Sequence, residues 1–265
     1  MNRLARCLVA LLWLVTGAAA LHSLESLPVI NPVLLATGGL SALTDDPAAS
    51  VLNPVAGEGG VSTSTGWIHK LNELSQYDIA SVLSFQSNSM FAGWQALNHD
   101  DYKRQDIRFG IRCSYAFFRA GVGYKLMFDE IPGYGSARDE RLTAGLRLKY
   151  RKATLDIGSE HRLPIDDTNR LNCGSFNLCL AQKLEDSFVL AAGLETCKSE
   201  GNHYKLGCRY KITPNFSGIT SWTSNPGRFG VGTTFNLGTL RISYALQTHP
   251  ELDWSHTVGI TLMFP

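Results

Sequence analysis

From Gly60 to Phe264 the chain keeps a two-residue period of apolar and polar positions. The stretch "IRFGIRCSY" puts Ile107, Phe109, Ile111, Cys113 and Tyr115 on one face. "LTAGLRLKY" does the same with Leu142, Ala144, Leu146, Leu148 and Tyr150, and "YKLGCRYKI" with Tyr204, Leu206, Cys208, Tyr210 and Ile212. Such alternation marks strands with one apolar face. It predicts about fourteen strands, near 60–70, 77–87, 89–97, 105–115, 117–128, 139–150, 153–162, 172–183, 187–197, 202–212, 215–223, 228–237, 239–247 and 254–264. Each run is close to the ~9–11 residues of a tilted membrane strand. The final run "HTVGITLMFP" carries Val258, Ile260, Leu262 and Phe264 on one side, as expected of a closing strand that pairs with the first and faces lipid.

The connections alternate in length. Short ones fall around Ser87-Asn88, Ala116, Arg151-Lys152, Leu184-Glu185-Asp186, Thr213-Pro214 and Gly238, and longer ones at 71–76, 98–104, 129–138, 163–171, 198–201, 224–227 and 248–253. Short periplasmic turns opposite longer outer loops are expected of an outer-membrane barrel. Aromatic residues sort with the ends. Tyr115, Phe117, Tyr150, Phe188, Tyr210, Phe216 and Phe264 fall near short turns, whereas Tyr77, Tyr204, Trp222, Phe229 and Trp254 fall near the loops. Rings seated at two membrane interfaces give this pattern; a general preference of aromatics for strands does not predict clustering at strand ends.

Residues 1–20 read as a secretory signal peptide. Arg3 and Arg6 precede "CLVALLWLVTG", and Ala18 and Ala20 provide the small-residue cleavage pattern. The apolar run is shorter than the ~20 residues of a spanning helix. Residues 21–57 lack strand alternation and are expected to form a periplasmic or plug segment ahead of a barrel at 58–265. Within it, "LTDDPAASVLNP" predicts a short helix with Asp46 as N-cap, Pro47 at the first position and Asn53-Pro54 as the stop. The fold class expected is therefore all-β: a transmembrane antiparallel barrel with an N-terminal hatch.

A formal charge of +1 leaves no footprint for nucleic acid. If the apolar set faces lipid, the lumen receives Arg108, Arg112, Arg119, Lys125, Arg147, Lys149, Lys205, Arg209, Lys211 and Arg241, against the fewer acids Asp78, Asp129, Asp156, Glu160 and Glu195. This basic set reads either as a path for anionic or amphiphilic solutes or as an ion-pair network that holds a plug, since unpaired buried charge is costly. Gly93, Gly110, Gly121, Gly123, Gly145, Gly158, Gly193, Gly207, Gly230, Gly232 and Gly259 also fall inward. They either leave room for residues 21–57 or relieve barrel curvature.

Five cysteines follow residue 20: Cys113, Cys173, Cys179, Cys197 and Cys208. Cys173 and Cys197 fall inward on adjacent strands and form a candidate disulfide; two free thiols are the alternative, because a two-residue change of register separates them. No CxxC appears, and neither a metal nor a cofactor is expected. GxSxG, HExxH and P-loop motifs are absent, and His249 and His256 have no identifiable serine partner, so an enzyme is not expected.

"GGLSALTDDPAASVLNPV" (38–55), with Asp45, Asp46, Asn53 and Pro54, resembles the N-terminal hatch motif of the long-chain fatty-acid transporter (FadL-like) superfamily of outer-membrane barrels. The segment 230–264, with its His-Pro-Glu-Leu loop and Ser255-His256, is similar to the last strands of the PorV/PorQ-type branch. The resemblance implies a fourteen-stranded barrel with a plug, and a terminal aromatic, Phe264, that the barrel assembly machinery reads. It implies two functions. One is passive passage of hydrophobic or anionic amphiphilic small molecules across the bacterial outer membrane. The other is a plugged adaptor that partners an export-system protein or surface attachment without transport.

Overall fold

A computed structural model of the chain describes residues 31–69, 71–163, 174–197, 201–248 and 254–264. These form an antiparallel sheet of fourteen strands that closes on itself. In chain order the strands are β1 (Gly60–Ile68), β2 (Leu71–Phe85), β3 (Asn88–His99), β4 (Tyr102–Tyr115), β5 (Phe118–Ile131), β6 (Gly135–Tyr150) and β7 (Ala153–Arg162), then β8 (Gly174–Lys183), β9 (Phe188–Cys197), β10 (Gly201–Lys211), β11 (Phe216–Thr223), β12 (Arg228–Leu237), β13 (Leu240–Gln247) and β14 (Ser255–Met263). Every strand pairs with its sequence neighbours, and β1 closes on β14 from Gly60 opposite Met263 to Ile68 opposite Ser255. Phe264 extends the closure, its amide donating to the Gly59 carbonyl at 2.9 Å.

The burial pattern is that of a protein turned inside out. On β4 the outward Ile107, Phe109 and Ile111 are 37%, 48% and 58% exposed, while the inward Asp106, Arg108 and Arg112 are 0%, 7% and 3% exposed. Water as the surrounding medium favours the opposite arrangement. A bilayer requires this one, and a closed sheet leaves no edge of unpaired backbone to place in lipid. Tyr115, Phe117, Tyr150 and Tyr210 lie exposed near the short turns, and Tyr77, Tyr204, Trp222, Phe229 and Trp254 lie exposed towards the other end.

Several strand limits differ from those the sequence suggests. The stretches 71–76, 98–104 and 129–138 are not open loops: β2 begins at Leu71, β4 at Tyr102 and β6 at Gly135, so their hairpins turn over two or three residues. Longer connections remain at 163–173 and 248–254, mostly outside the described residues, whereas 198–200 and 224–227 are no longer than the turns at 184–187 and 212–215. The extended strands make the wall taller on one side. β6 has 16 residues, whereas β11 and β13 have 8. Near the top of β5 and β6 the outward face turns polar. The Tyr124 hydroxyl meets Glu140, Arg138 pairs with Glu140 at 2.5 Å, and the Arg138 guanidinium lies 6.0 Å from the Phe128 ring centre. These upper residues stand clear of the apolar belt.

Residues 31–58 lie against the inner face of the wall. Helix Pro32–Ala36 has Asn31 as its N-cap, the side-chain oxygen accepting from Val33 and Leu34 amides at 3.0 and 3.3 Å. A 3-10 turn covers Ser41–Leu43 and a second helix covers Ala49–Leu52. The expectation of one helix capped by Asp46 is corrected in two respects. The first two helical turns were not foreseen, and regular helix starts three residues after Asp46, which still accepts the Ala48 amide at 3.0 Å. Asn53 ends the helix as expected. The first helix packs on β11–β14, the 3-10 turn on β7–β10 and the second helix on β2 and β3. A segment that meets strands all round the ring on their inward faces lies within it.

Inward glycines make this possible on the side of β9–β14. A Cβ on Gly207 would stand 2.8 Å from Leu40 Cδ1, and one on Gly232 would stand 2.5 Å from the Ala36 Cβ. Gly110, Gly123 and Gly158 serve differently: they face Phe91 and Asn177 rather than the segment. Gly232→Val should therefore cost about 1–3 kcal/mol by overpacking. Gly218→Val, whose Cβ would meet only Ile212 Cδ1 at 3.8 Å, should cost much less. The temperature at which each refolded variant loses compact mobility on a semi-native gel checks the difference.

Candidate functional site

The inner wall is chemically divided. Strands β4–β7 supply most of the long cationic side chains, and β9–β14, apart from Glu195, Lys205, Arg209 and Arg241, supply mainly glycine, serine, threonine and alanine. On the cationic side, guanidiniums reach the backbone carbonyls of the inner segment. Arg108 donates to Val51 O, Arg112 to Ala56 O, Arg119 to Val55 O and Gly57 O at 3.2 Å each, and Arg147 to Ser41 O at 3.2 Å. Short helices and turns leave many carbonyls without internal partners. An arginine fork is suited to them because it presents several donors in one plane.

Acids complete the attachment. Arg147 holds Asp156 with two contacts of 2.6 Å, and the second Asp156 oxygen accepts from the Ser41 hydroxyl at 2.7 Å. Arg119 pairs with Glu58 at 3.1 Å, and Lys149, 53% exposed at the rim, reaches the same carboxylate at 3.5 Å. Across the lumen Arg241 binds Asp45 at 2.8 Å and approaches Asp46 at 3.9 Å. Adjacent carboxyls are pushed in opposite directions there. Burial opposes the charge of Asp45, but the Arg241 guanidinium outweighs it and holds the carboxyl below its ordinary value. Burial raises Asp46, against the Ala48 amide and the Thr261 hydroxyl that favour its charge. Burial likewise works against Glu58, yet Arg119 and then Lys149 prevail and keep it low.

A second network lies on the same strands, further from the chain termini. Asp106 meets Arg104 at 3.4 Å, Arg108 at 3.1 Å and Lys125 at 3.3 Å. Lys125 approaches Glu160 at 3.7 Å; Arg141 binds Glu160 at 2.6 Å and Asp139 at 2.9 Å; Arg162 closes on Asp139 at 2.5 Å. Asp129 joins through Tyr102 at 2.5 Å and Arg104 at 3.6 Å. Asp106 is 0%, Lys125 1% and Arg141 1% exposed, so this part of the lumen is closed to water.

Of the residues singled out in the sequence, Arg108, Arg112, Arg119, Arg147, Lys149 and Arg241 touch the inner segment. Lys125 belongs to the second network. Lys205 pairs with Glu195 at 2.6 Å, and Arg209, half-buried on β10, acts on Asp45 through its charge. In the hatch motif Asn53 donates to Ile157 O at 3.4 Å, and Pro54 covers Gly121, whose Cβ would stand 3.1 Å away. Phe264 borders a rim recess of about 320 Å³ with Glu58, Gly59, Leu83, Ser84 and Phe85. Cys173, and hence the pairing with Cys197, lies outside the described residues, as do residues 1–20; Ser175 is the residue opposite Cys197.

Sequence reasoning missed Arg104, Asp106, Asp139, Arg141 and Arg162. Arg104, Asp106 and Arg108 share one face at a spacing of two, which signals a common inward side once strand β4 is extended to Tyr102. Glu58, Ser41 and Asn31 carry no periodic signal.

Fold and site define a closed fourteen-strand barrel of the bacterial outer-membrane type, with a polar interior and an apolar exterior. Its fold is similar to that of the toluene transporter TodX of Pseudomonas putida, at 12% identity over 91% of this chain and 98% of that one, with a TM-score of 0.63. A mutant porin of Rh. blastica aligns with 77% of this chain and 98% of its own at 8% identity and a TM-score of 0.48. No protein-family model matches the chain, and no curated protein sequence matches it.

Removing one partner of the Arg147–Asp156 pair leaves a buried charge alone. Arg147→Met or Asp156→Leu should each destabilise by about 3–5 kcal/mol, and the double variant should recover most of the loss. Urea unfolding followed by tryptophan fluorescence reads the four members of the cycle.

Proposed function

We propose that the protein is a passive conduit of the bacterial outer membrane for hydrophobic or amphiphilic small molecules, with residues 31–58 as the movable part that blocks the lumen. The observation that carries this reading is the way the segment is held. Apart from Pro54 over Gly121 and Val55 over Gly145, its contacts on β4–β7 are hydrogen bonds and ion pairs, which water or a solute can replace one for one. Its apolar contacts are divided among three small clusters, centred on Leu34 with Val51, on Val33 with Leu35, and on Leu40 with Leu43. Displacement does not require opening one large core. Likeness of fold to a toluene transporter supports the same reading.

A second reading is a permanently plugged adaptor for an export or surface protein. The burial of Asp106, Lys125 and Arg141 favours it, because a conduit requires these side chains to separate from their partners.

Single-channel conductance in planar bilayers distinguishes the two. On the transport reading Arg119→Met combined with Arg147→Met raises the frequency of conducting events above that of the native chain, and a medium-chain carboxylate raises the unfolding temperature of the native chain. Silence in both forms, despite heat-modifiable migration on gels, favours the adaptor.

A further inference from the structure

We infer that the inner segment is the lock of the barrel seam: Asn31 and Asp46 join β1 to β14 from inside, and this side-chain bridge supports the one strand pairing that no turn connects. The other thirteen pairings join sequence neighbours. The seam joins residues such as Ser62 and Thr261, which are 199 positions apart. Closing so long a loop carries the largest entropic cost of any contact in the sheet.

The inner face of the seam does little to offset this cost by itself. Between its two ends, where Ile68 and Met263 face inward, the seam points only Gly60, Ser62, Ser64 and Gly66 of β1 and Ser255, Thr257, Gly259 and Thr261 of β14 into the lumen. None of these offers a large apolar surface. The segment fills the space instead. Asn31 Nδ2 donates to Ser62 Oγ on β1 at 3.0 Å and to Asp46 Oδ1 at 3.4 Å. Thr261 Oγ1 on β14 donates to Asp46 Oδ2 at 2.8 Å, and the Ser62 and Thr261 hydroxyls meet at 3.0 Å. The four side chains form a closed ring of hydrogen bonds across the seam, and each is at most 2% exposed. Two prolines cover the glycines beside it. A Cβ on Gly259 would stand 2.9 Å from Pro32 Cδ, and one on Gly60 would stand 3.0 Å from Pro47 Cγ. Arg241 on β13 extends the attachment to Asp45. This inference concerns the wall and does not depend on whether solutes cross it.

The test uses the full chain with its six cysteines replaced by alanine. Asp46→Ala should lower the temperature at which the barrel loses compact gel mobility by about 5 °C or more, on the scale of ~2–4 °C per hydrogen bond lost in a chain of this size. Thr261→Val, which keeps shape and removes the hydroxyl, should lower it in the same direction. A disulfide between Thr63→Cys and Ile260→Cys, an outward pair directly opposite across the seam, should restore most of either loss. A disulfide between Thr220→Cys and Val231→Cys, the equivalent pair on β11 and β12, should not. The inference is overturned if both disulfides restore equally, if neither does, or if Thr261→Val leaves the temperature unchanged. Should Asp46→Ala fail to assemble, its recovery by the seam disulfide alone supports the lock, and failure to recover it counts against the lock.

Discussion

A barrel whose membrane belt must be apolar has to turn the charges at that level inward, and a narrow lumen gives those charges little water. The structure depends on this constraint. Strands β4–β6 bring Arg108, Arg112, Arg119 and Arg147 to an interior where leaving any guanidinium unpaired would cost several kcal/mol. Acids on neighbouring strands neutralise part of the set. Backbone carbonyls of residues 41–57 satisfy much of what remains. Cationic wall and irregular segment each supply what the other lacks. A segment of short helices has spare carbonyls, and the wall has spare donors.

The opposite wall works by shape. Gly193, Gly207, Gly230, Gly232 and Gly259 remove side chains where Leu40, Leu35, Ala36 and Pro32 approach the strand backbone. Contact at these glycines is close and carries no charge; the charged attachment on this side is confined to Arg241 with Asp45, beside the Thr261 hydroxyl on Asp46. The segment is thereby clamped between a wall that recognises its carbonyls and a wall that recognises its volume. Two kinds of contact define one placement better than either alone, because a shift that keeps van der Waals packing on one side breaks hydrogen-bond geometry on the other.

How much of this was legible in the sequence follows from what generates a periodic signal. Strand number and the inward placement of Arg108, Arg112, Arg147, Gly193 and Gly207 all follow from alternation, since a lipid face on one side makes the period of two visible, but alternation left open whether the glycines make room for the segment or relieve curvature. The upper parts of β5 and β6 were not legible. Glu130, Arg138 and Glu140 lie on the outward face above the apolar belt, so polarity no longer alternates there even though the backbone remains extended. Asp106 and Arg141 lay within the strands the alternation marks, but their partners Arg104 and Asp129 lie on the extensions of β4 and β5. Ser62 and Thr261 looked like any inward strand hydroxyls, and their partnership with Asn31 and Asp46 spans separations of 31 and 215 residues. A single sequence carries no local trace of such a bridge.

The two groups of contacts also divide the mechanical roles of the segment. Those to β4–β7 lie away from the seam and bind carbonyls of residues 41–57. Those to β13, β14 and β1 bind Asn31, Asp45 and Asp46 and cover the closing pair of strands. On the proposed transport reading, a path would open along the arginine wall, by exchange of carbonyls for water or solute, while the seam contacts stay in place. Full withdrawal of the segment would open a wider path and would unload the least supported pairing of the sheet in the same step. The geometry therefore favours partial displacement hinged near Asp45 and Asp46, with loss of Arg119 and Arg147 contacts ahead of any change at Thr261. A permanent adaptor has no reason to separate the two sets, and in it both would break together when the barrel unfolds.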